Sequence, residues 1–119
     1  MKKLVLILLL SASFFVFSQE KQNETLPMFP GGEIAMKKYL AEHLIYPEIS
    51  MSNGDSGTVY VRFSINPDGF IGDVEILRGV SAEINKEVIR FINNMPKWIP
   101  AEDNTEKVFA VIPIHFRLQ

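Results

Sequence analysis

The sequence predicts an α+β domain: a three-stranded antiparallel sheet, in the spatial order 2-1-3, packed against two helices. Three observations carry that expectation. Apolar and polar residues alternate from Thr58 to Ile65 and again from Lys107 to Leu118, the period of a strand with one buried face. Between these runs, Ile84, Val88, Phe91, Ile92 and Met95 recur at the spacing of one helical stripe. Asn66-Pro67-Asp68-Gly69 follows the first alternating run, its proline presetting φ at the second turn position and its glycine able to take φ > 0.

At the N-terminus, Met1, Lys2 and Lys3 precede Leu4 to Phe17, fourteen residues without a charge. A basic start, an unbroken apolar stretch from Leu4 to Leu10, and Val16-Phe17-Ser18 ahead of a polar segment describe an export signal cut after Ser18. The competing reading is a retained membrane anchor, but fourteen helical residues span only about 21 Å against a hydrocarbon core of about 30 Å. A buried core helix is excluded because the run has no polar face. The expected organisation is a signal peptide at 1–18, a flexible polar lead at 19–26 and one domain at 27–119.

The 119 residues are 47% hydrophobic with a net charge of −2. Without Lys2 and Lys3, ten basic and fourteen acidic residues remain, a charge of −4. That balance argues against nucleic acid as a partner. The absence of cysteine excludes thiol catalysis, cysteine-ligated zinc and iron–sulfur clusters.

Within the domain, Pro27-Met28-Phe29-Pro30-Gly31-Gly32 cannot be helical, and Glu33 opens a run of good helix formers. Ile34, Met36, Tyr39, Leu40 and Leu44 share one face, so a helix is expected from Glu33 to His43, stopping before Pro47. Glu48 to Gly57, with Ser50, Ser52, Asn53, Gly54, Asp55 and Ser56, reads as a loop by composition. Val59, Val61, Phe63 and Ile65 form the inner face of the first strand, and Val74 and Ile76 continue it on the return strand. Gly79 ends that strand, Ser81 caps the second helix, and Glu83 suits its first turn.

Pro96 stops the second helix, and the irregular Met95-Pro96-Lys97-Trp98-Ile99-Pro100 segment is expected to tuck Trp98 over the core edge. On the last strand Val108, Ala110, Ile112, Ile114, Phe116 and Leu118 face inward. Pro113 has no amide proton to give a neighbour, which places this strand at a sheet edge with the Pro113 nitrogen turned outward. The second and third strands are then the two edges.

Residues with chemical potential do not assemble into a reaction centre. His43 and His115 have no carboxylate at a metal-ligand spacing and read as surface histidines. Asp68 and Asp73 near Asn66 lack the distal glutamate of a calcium loop, and turn chemistry accounts for Asp68. Glu83 and Glu87 read as a solvated helix face. Gly31-Gly32 ahead of a helix could receive an anion, but two glycines are not a phosphate loop and Glu33 would repel it. Gly54-Asp55-Ser56-Gly57 lacks the spacing of a serine-nucleophile elbow. No cofactor and no enzymatic activity are expected.

Phe29-Pro30-Gly31-Gly32, Tyr39-Leu40, Tyr46-Pro47, Gly57 with the strand after it, Asp68-Gly69, Asp73-Val74, Met95-Pro96-Lys97-Trp98-Ile99-Pro100 and Pro113-Ile114-His115-Phe116 together resemble the TonB C-terminal domain family, in the version common among Bacteroidetes-type bacteria. The likeness runs from about Pro27 to Gln119, and the ordered combination is what makes it specific. It implies a small α+β domain in the periplasm that grips the exposed plug segment of outer-membrane receptors, a protein-binding module in energy-transducing transport. It also implies recognition by strand addition along the last strand, where Phe109, Val111, Pro113, His115 and Arg117 form the outward row. Pro113 leaves a gap in that row, which equally guards the edge against aggregation.

Two departures shape the expectation. Force-transmitting members carry a spanning N-terminal helix with a histidine and a long Pro-rich spacer, whereas Leu4 to Phe17 has no histidine and seven polar residues follow it. Ala101 stands where the family commonly has glycine. The reading is therefore a free-standing periplasmic domain that binds an outer-membrane receptor or another envelope protein, touching the membrane only through an uncleaved N-terminal segment that would anchor it to the inner membrane. The alternative is an assembly module that pairs with itself as a homodimer, or with another envelope protein, without transmitting force.

Overall fold

The computed structural model describes residues 5–8, 15–18, 26–102 and 105–118. In chain order these form β1 (Val5–Leu8), β2 (Phe15–Ser18), α1 (Gly32–His43), α2 (Glu48–Asn53), β3 (Gly57–Ile65), β4 (Ile71–Arg78), α3 (Ala82–Asn93) and β5 (Val108–Phe116). The expected antiparallel three-stranded sheet is its heart: β3 in the middle, β4 on one side and β5 on the other. The full order is β2-β1-β5-β3-β4, so the N-terminal strands extend the sheet beyond β5.

The inner face is built as the alternation requires. Val59, Val61, Phe63 and Ile65 from β3 and Val108, Ala110, Ile112, Ile114 and Phe116 from β5 are buried. They meet Ile84, Val88, Phe91, Ile92 and Met95 along α3 and its end, so one helix stripe seals the sheet. Leu118, expected on the inner face, lies beyond β5 and is exposed. Ser81 caps α3, its Oγ accepting from the Ile84 N–H at 3.2 Å. The hairpin turn is as expected: the Gly69 N–H donates to the Asn66 carbonyl at 2.8 Å, and Asp68 Oδ1 accepts from the Phe70 N–H at 3.1 Å.

Several expectations are corrected. Residues 48–53 are helical where composition suggested a loop. Pro47 leads in with φ −61°, Gly54 closes the helix in the left-handed region at φ 75°, and the Asp55 N–H returns to the Ser50 carbonyl. Tertiary bonds hold this short piece: Ser50 Oγ lies 3.2 Å from Ser81 Oγ, and the Tyr46 hydroxyl donates to the Asp55 carbonyl. On α1, Met36 is buried, and Tyr39, Leu40 and Leu44 pack against the core, but Ile34 is 83% exposed. The residues expected as a signal peptide include β1 and β2, and of the expected lead only Leu26, packed on the core, lies within the described residues.

Candidate functional site

The outward row on β5 follows from its pairing. β5 runs antiparallel to β3 in unbroken register from Gly57↔Phe116 to Ile65↔Val108, with Tyr60 opposite Pro113. Antiparallel pairs alternate between those that exchange backbone hydrogen bonds and those whose groups point away. Pro113 has no N–H to exchange, so its pair is of the second kind, and Phe109, Val111 and His115 share its direction while Ala110, Ile112 and Ile114 tie β5 to β3. Arg117 lies just past the strand and is exposed.

That outer edge is not the edge of the sheet. β1 runs parallel to it with Val5↔Phe109, Leu6↔Ala110 and Ile7↔Val111, and β2 pairs antiparallel with β1 from Val5↔Ser18 to Leu8↔Phe15. The expectation that the last strand ends the sheet is corrected to this extent. The composition is compatible with strands, since Val5-Leu6-Ile7-Leu8 and Phe15-Val16-Phe17 are branched, aromatic and uncharged. The ladder to β1 stops short of Pro113, where the missing N–H would interrupt it.

Above the edge, the outer face of the sheet is a layer of cations and rings. The Arg62 guanidinium lies 4.2 Å from the Phe109 ring centroid and 3.4 Å from Glu75. Lys107 Nζ is 5.8 Å from the same ring and 3.2 Å from Asp73. His115 Nδ1 is 2.8 Å from Thr58 Oγ1. These ion pairs are solvent-exposed and individually weak, so they tune the face more than they stabilise it.

The other motif residues sit away from the edge and brace the fold. Trp98 is buried with its ring 5.7 Å from Phe29 and 5.8 Å from Phe63. Its backbone N–H donates to the Gly69 carbonyl at 2.8 Å, while Met28 and Ile99 exchange two backbone bonds. Any side chain at Gly69 would be strained: its φ is +96°, and a Cβ would stand 2.1 Å from the Trp98 carbonyl oxygen, so the backbone there would have to shift. Pro30, Gly31 and Gly32 turn the chain from Phe29 into α1, the Gly32 N–H donating to the Phe29 carbonyl at 2.7 Å. Tyr46 packs edge-on to Phe116 at 5.3 Å and Pro47 starts α2. Met95 is buried, whereas Pro96 and Pro100 are exposed where they flank Trp98.

Glu87 is where the sequence reading misses. It is buried, not solvated, and its carboxylate accepts from the Ile45 N–H at 2.8 Å and from Arg90 Nε and Nη2, both at 2.7 Å. Arg90 Nη2 also donates to the His43 carbonyl at 3.0 Å, so α3 grips the linker between α1 and α2. Burial pushes the Glu87 carboxyl up, but the bonds from Arg90 and Ile45 and the Arg90 charge outweigh it and hold the group below the ordinary carboxylate range. Glu83 is exposed as expected. Among the described residues, no group of three or more His, Asp or Glu is placed to hold a metal ion, and no helix is long and apolar enough to cross a membrane.

Residues 42–118 match the family described as Gram-negative bacterial TonB protein C-terminal. Protein TonB of Helicobacter pylori (strain J99 / ATCC 700824) is 31% identical over 75 residues, which cover 62% of this chain and 26% of that protein. The match thus spans about a quarter of the curated relative. The solution structure of the Helicobacter pylori TonB-CTD is similar with a TM-score of 0.57 at 24% identity, covering 72% of this chain and 79% of that one. The Pseudomonas aeruginosa TonB CTD is similar with a TM-score of 0.50 at 25% identity, covering 63% and 78%.

Proposed function

The chain belongs to the Gram-negative TonB C-terminal family, and from that membership we propose that it is a periplasmic protein-binding domain which engages a segment of an outer-membrane TonB-dependent receptor by strand addition along β5. The family is one of non-catalytic adaptor domains. In this reading residues 1–18 are an export signal, and the row Phe109, Val111, Pro113, His115 and Arg117 is the docking edge.

The observation that supports it is the pairing of β1: the outer side of β5 takes a strand over Phe109 to Val111, so its backbone groups are placed to accept one. Main-chain bonds of this kind supply affinity, and alternate side-chain positions supply selectivity. The cation and ring layer of Arg62, Lys107 and Phe109 lies directly beside the incoming segment.

Photo-crosslinking in Gram-negative cells tests it. A photoreactive residue at Arg117, at the exposed end of the row, is expected to capture an outer-membrane receptor, and one at the exposed Lys38 on α1 is not. Capture from Lys38 alone, or from neither position, would overturn the reading.

A further inference from the structure

In the full chain the docking edge has an occupant. In a parallel ladder a residue's two backbone groups reach the residues flanking its partner, so Leu6, in register with Ala110, addresses Phe109 and Val111. Those two are the outward row on the N-terminal side of the gap left by Pro113. A partner strand laid along this half of β5 needs the same groups.

We infer that the N-terminal segment is an intramolecular competitor for the β5 edge, one that excludes a partner strand until it is displaced or removed. The occupancy rests on the strand pairing; what is excluded rests on the docking reading above. Three features favour a defined occupant over a casual contact. The segment arrives as a ribbon, β2 paired to β1 over four positions, and a two-stranded ribbon that is marginal alone gains a third strand by docking on β5. Neither strand carries a charge or a proline, the devices that blunt unwanted strand pairing. β2 ends at Ser18, the residue after which the sequence places the signal cut, so one processing event would take away both strands and uncover Phe109 and Val111.

The tether matters for strength. A segment linked to its site acts at an effective concentration of about millimolar, which a free peptide must exceed or outbind. Binding in trans is therefore expected to be suppressed in the unprocessed chain and restored when β1 cannot pair.

Residue-resolved amide exchange on the 119-residue chain and its Leu6→Pro variant tests the occupancy without any ligand. Proline at position 6 deletes the N–H that addresses the Phe109 carbonyl and weakens the docking of β1 by one backbone bond. The Val111 amide, which addresses the Leu6 carbonyl, is therefore expected to be protected in the parent and to exchange about tenfold faster in the variant as β1 undocks more often. The Ile112 amide, held by β3, is expected to stay protected in both and so reports that the domain remains folded. Equal exchange of Val111 in the two chains would overturn the inference and leave the docking reading standing. In a second arm both chains are titrated with a synthetic peptide copying the exposed plug segment of an outer-membrane receptor. Binding about tenfold tighter to Leu6→Pro is expected, and equal binding would overturn the exclusion. Binding to neither would refute the docking reading, and the exclusion with it, with the Val111 exchange rates still deciding the occupancy.

Discussion

Removing the Glu87 carboxylate should loosen the α1–α2 linker and change how stability responds to acid. In Glu87→Ala the Ile45 N–H loses an acceptor at 2.8 Å, and Arg90 loses two at 2.7 Å. A backbone bond to a buried carboxylate contributes about 1.5–3 kcal/mol. Arg90 is 43% exposed on its side chain, so screening limits the ion pair to about 0.2–1 kcal/mol. Ile45 is itself 59% exposed and its freed amide can rehydrate, which puts the total near the low end, about 2 kcal/mol. At about 4–8 °C per kcal/mol for a domain of this size, the midpoint should fall by about 10 °C. The folded-state pKa of Glu87 is lowered, so its contribution is fully present above the unfolded carboxyl value of about 4.3 and is lost as pH falls through the folded value. Thermal melts of the parent, Glu87→Ala and Glu87→Gln at pH 7 and in acid measure both effects. Glu87→Gln should cost less than Glu87→Ala and flatten the acid limb. An alanine cost within about 0.5 kcal/mol, the range of ordinary surface changes, or an unchanged acid limb in the glutamine variant, would refute the reasoning.

Gly69→Ala is expected to destabilise by about 1–3 kcal/mol in urea titration, because the turn needs φ +96° and the Cβ meets the Trp98 carbonyl. Trp98→Ala should cost about 3–5 kcal/mol, and Trp98→Phe far less, because among the described residues the buried indole N–H finds no acceptor and phenylalanine removes that orphan donor. Intact mass of the chain recovered from periplasmic extracts should begin at Gln19; a chain retaining Met1 in the membrane fraction would contradict cleavage after Ser18.

Much of this fold was legible because local and long-range signals agreed. The strand period, the turn at Asn66 to Gly69 and the α3 stripe each fix a buried face, and the three faces fit one another. Helix α2 was hidden because Ser50, Ser52 and Asn53 are poor helix formers, and what holds it is tertiary, the Ser50–Ser81 and Tyr46–Asp55 bonds. Glu87 offered a usable signal: it lies three residues after Ile84 and four before Phe91, on the buried stripe, with Arg90 three residues on to neutralise it. The direction of the outward row on β5 could be read from Pro113 alone. The occupant could not, since an uncharged apolar run satisfies an export signal and a pair of strands equally, and only the register between residues 5–7 and 109–111 distinguishes them.

Strand addition along the outer edge of β5 is tested most directly by an amide-resolved titration of the Leu6→Pro chain, with and without Val111→Pro, using the receptor plug peptide. Val111→Pro deletes one outward donor and leaves the β3 ladder intact, as Pro113 already does. Shifts are expected to gather on residues 108–117, and the second proline should weaken binding about tenfold. Equal binding by both chains, or shifts confined to α1 and the surface around Trp98, would contradict a docking edge on β5.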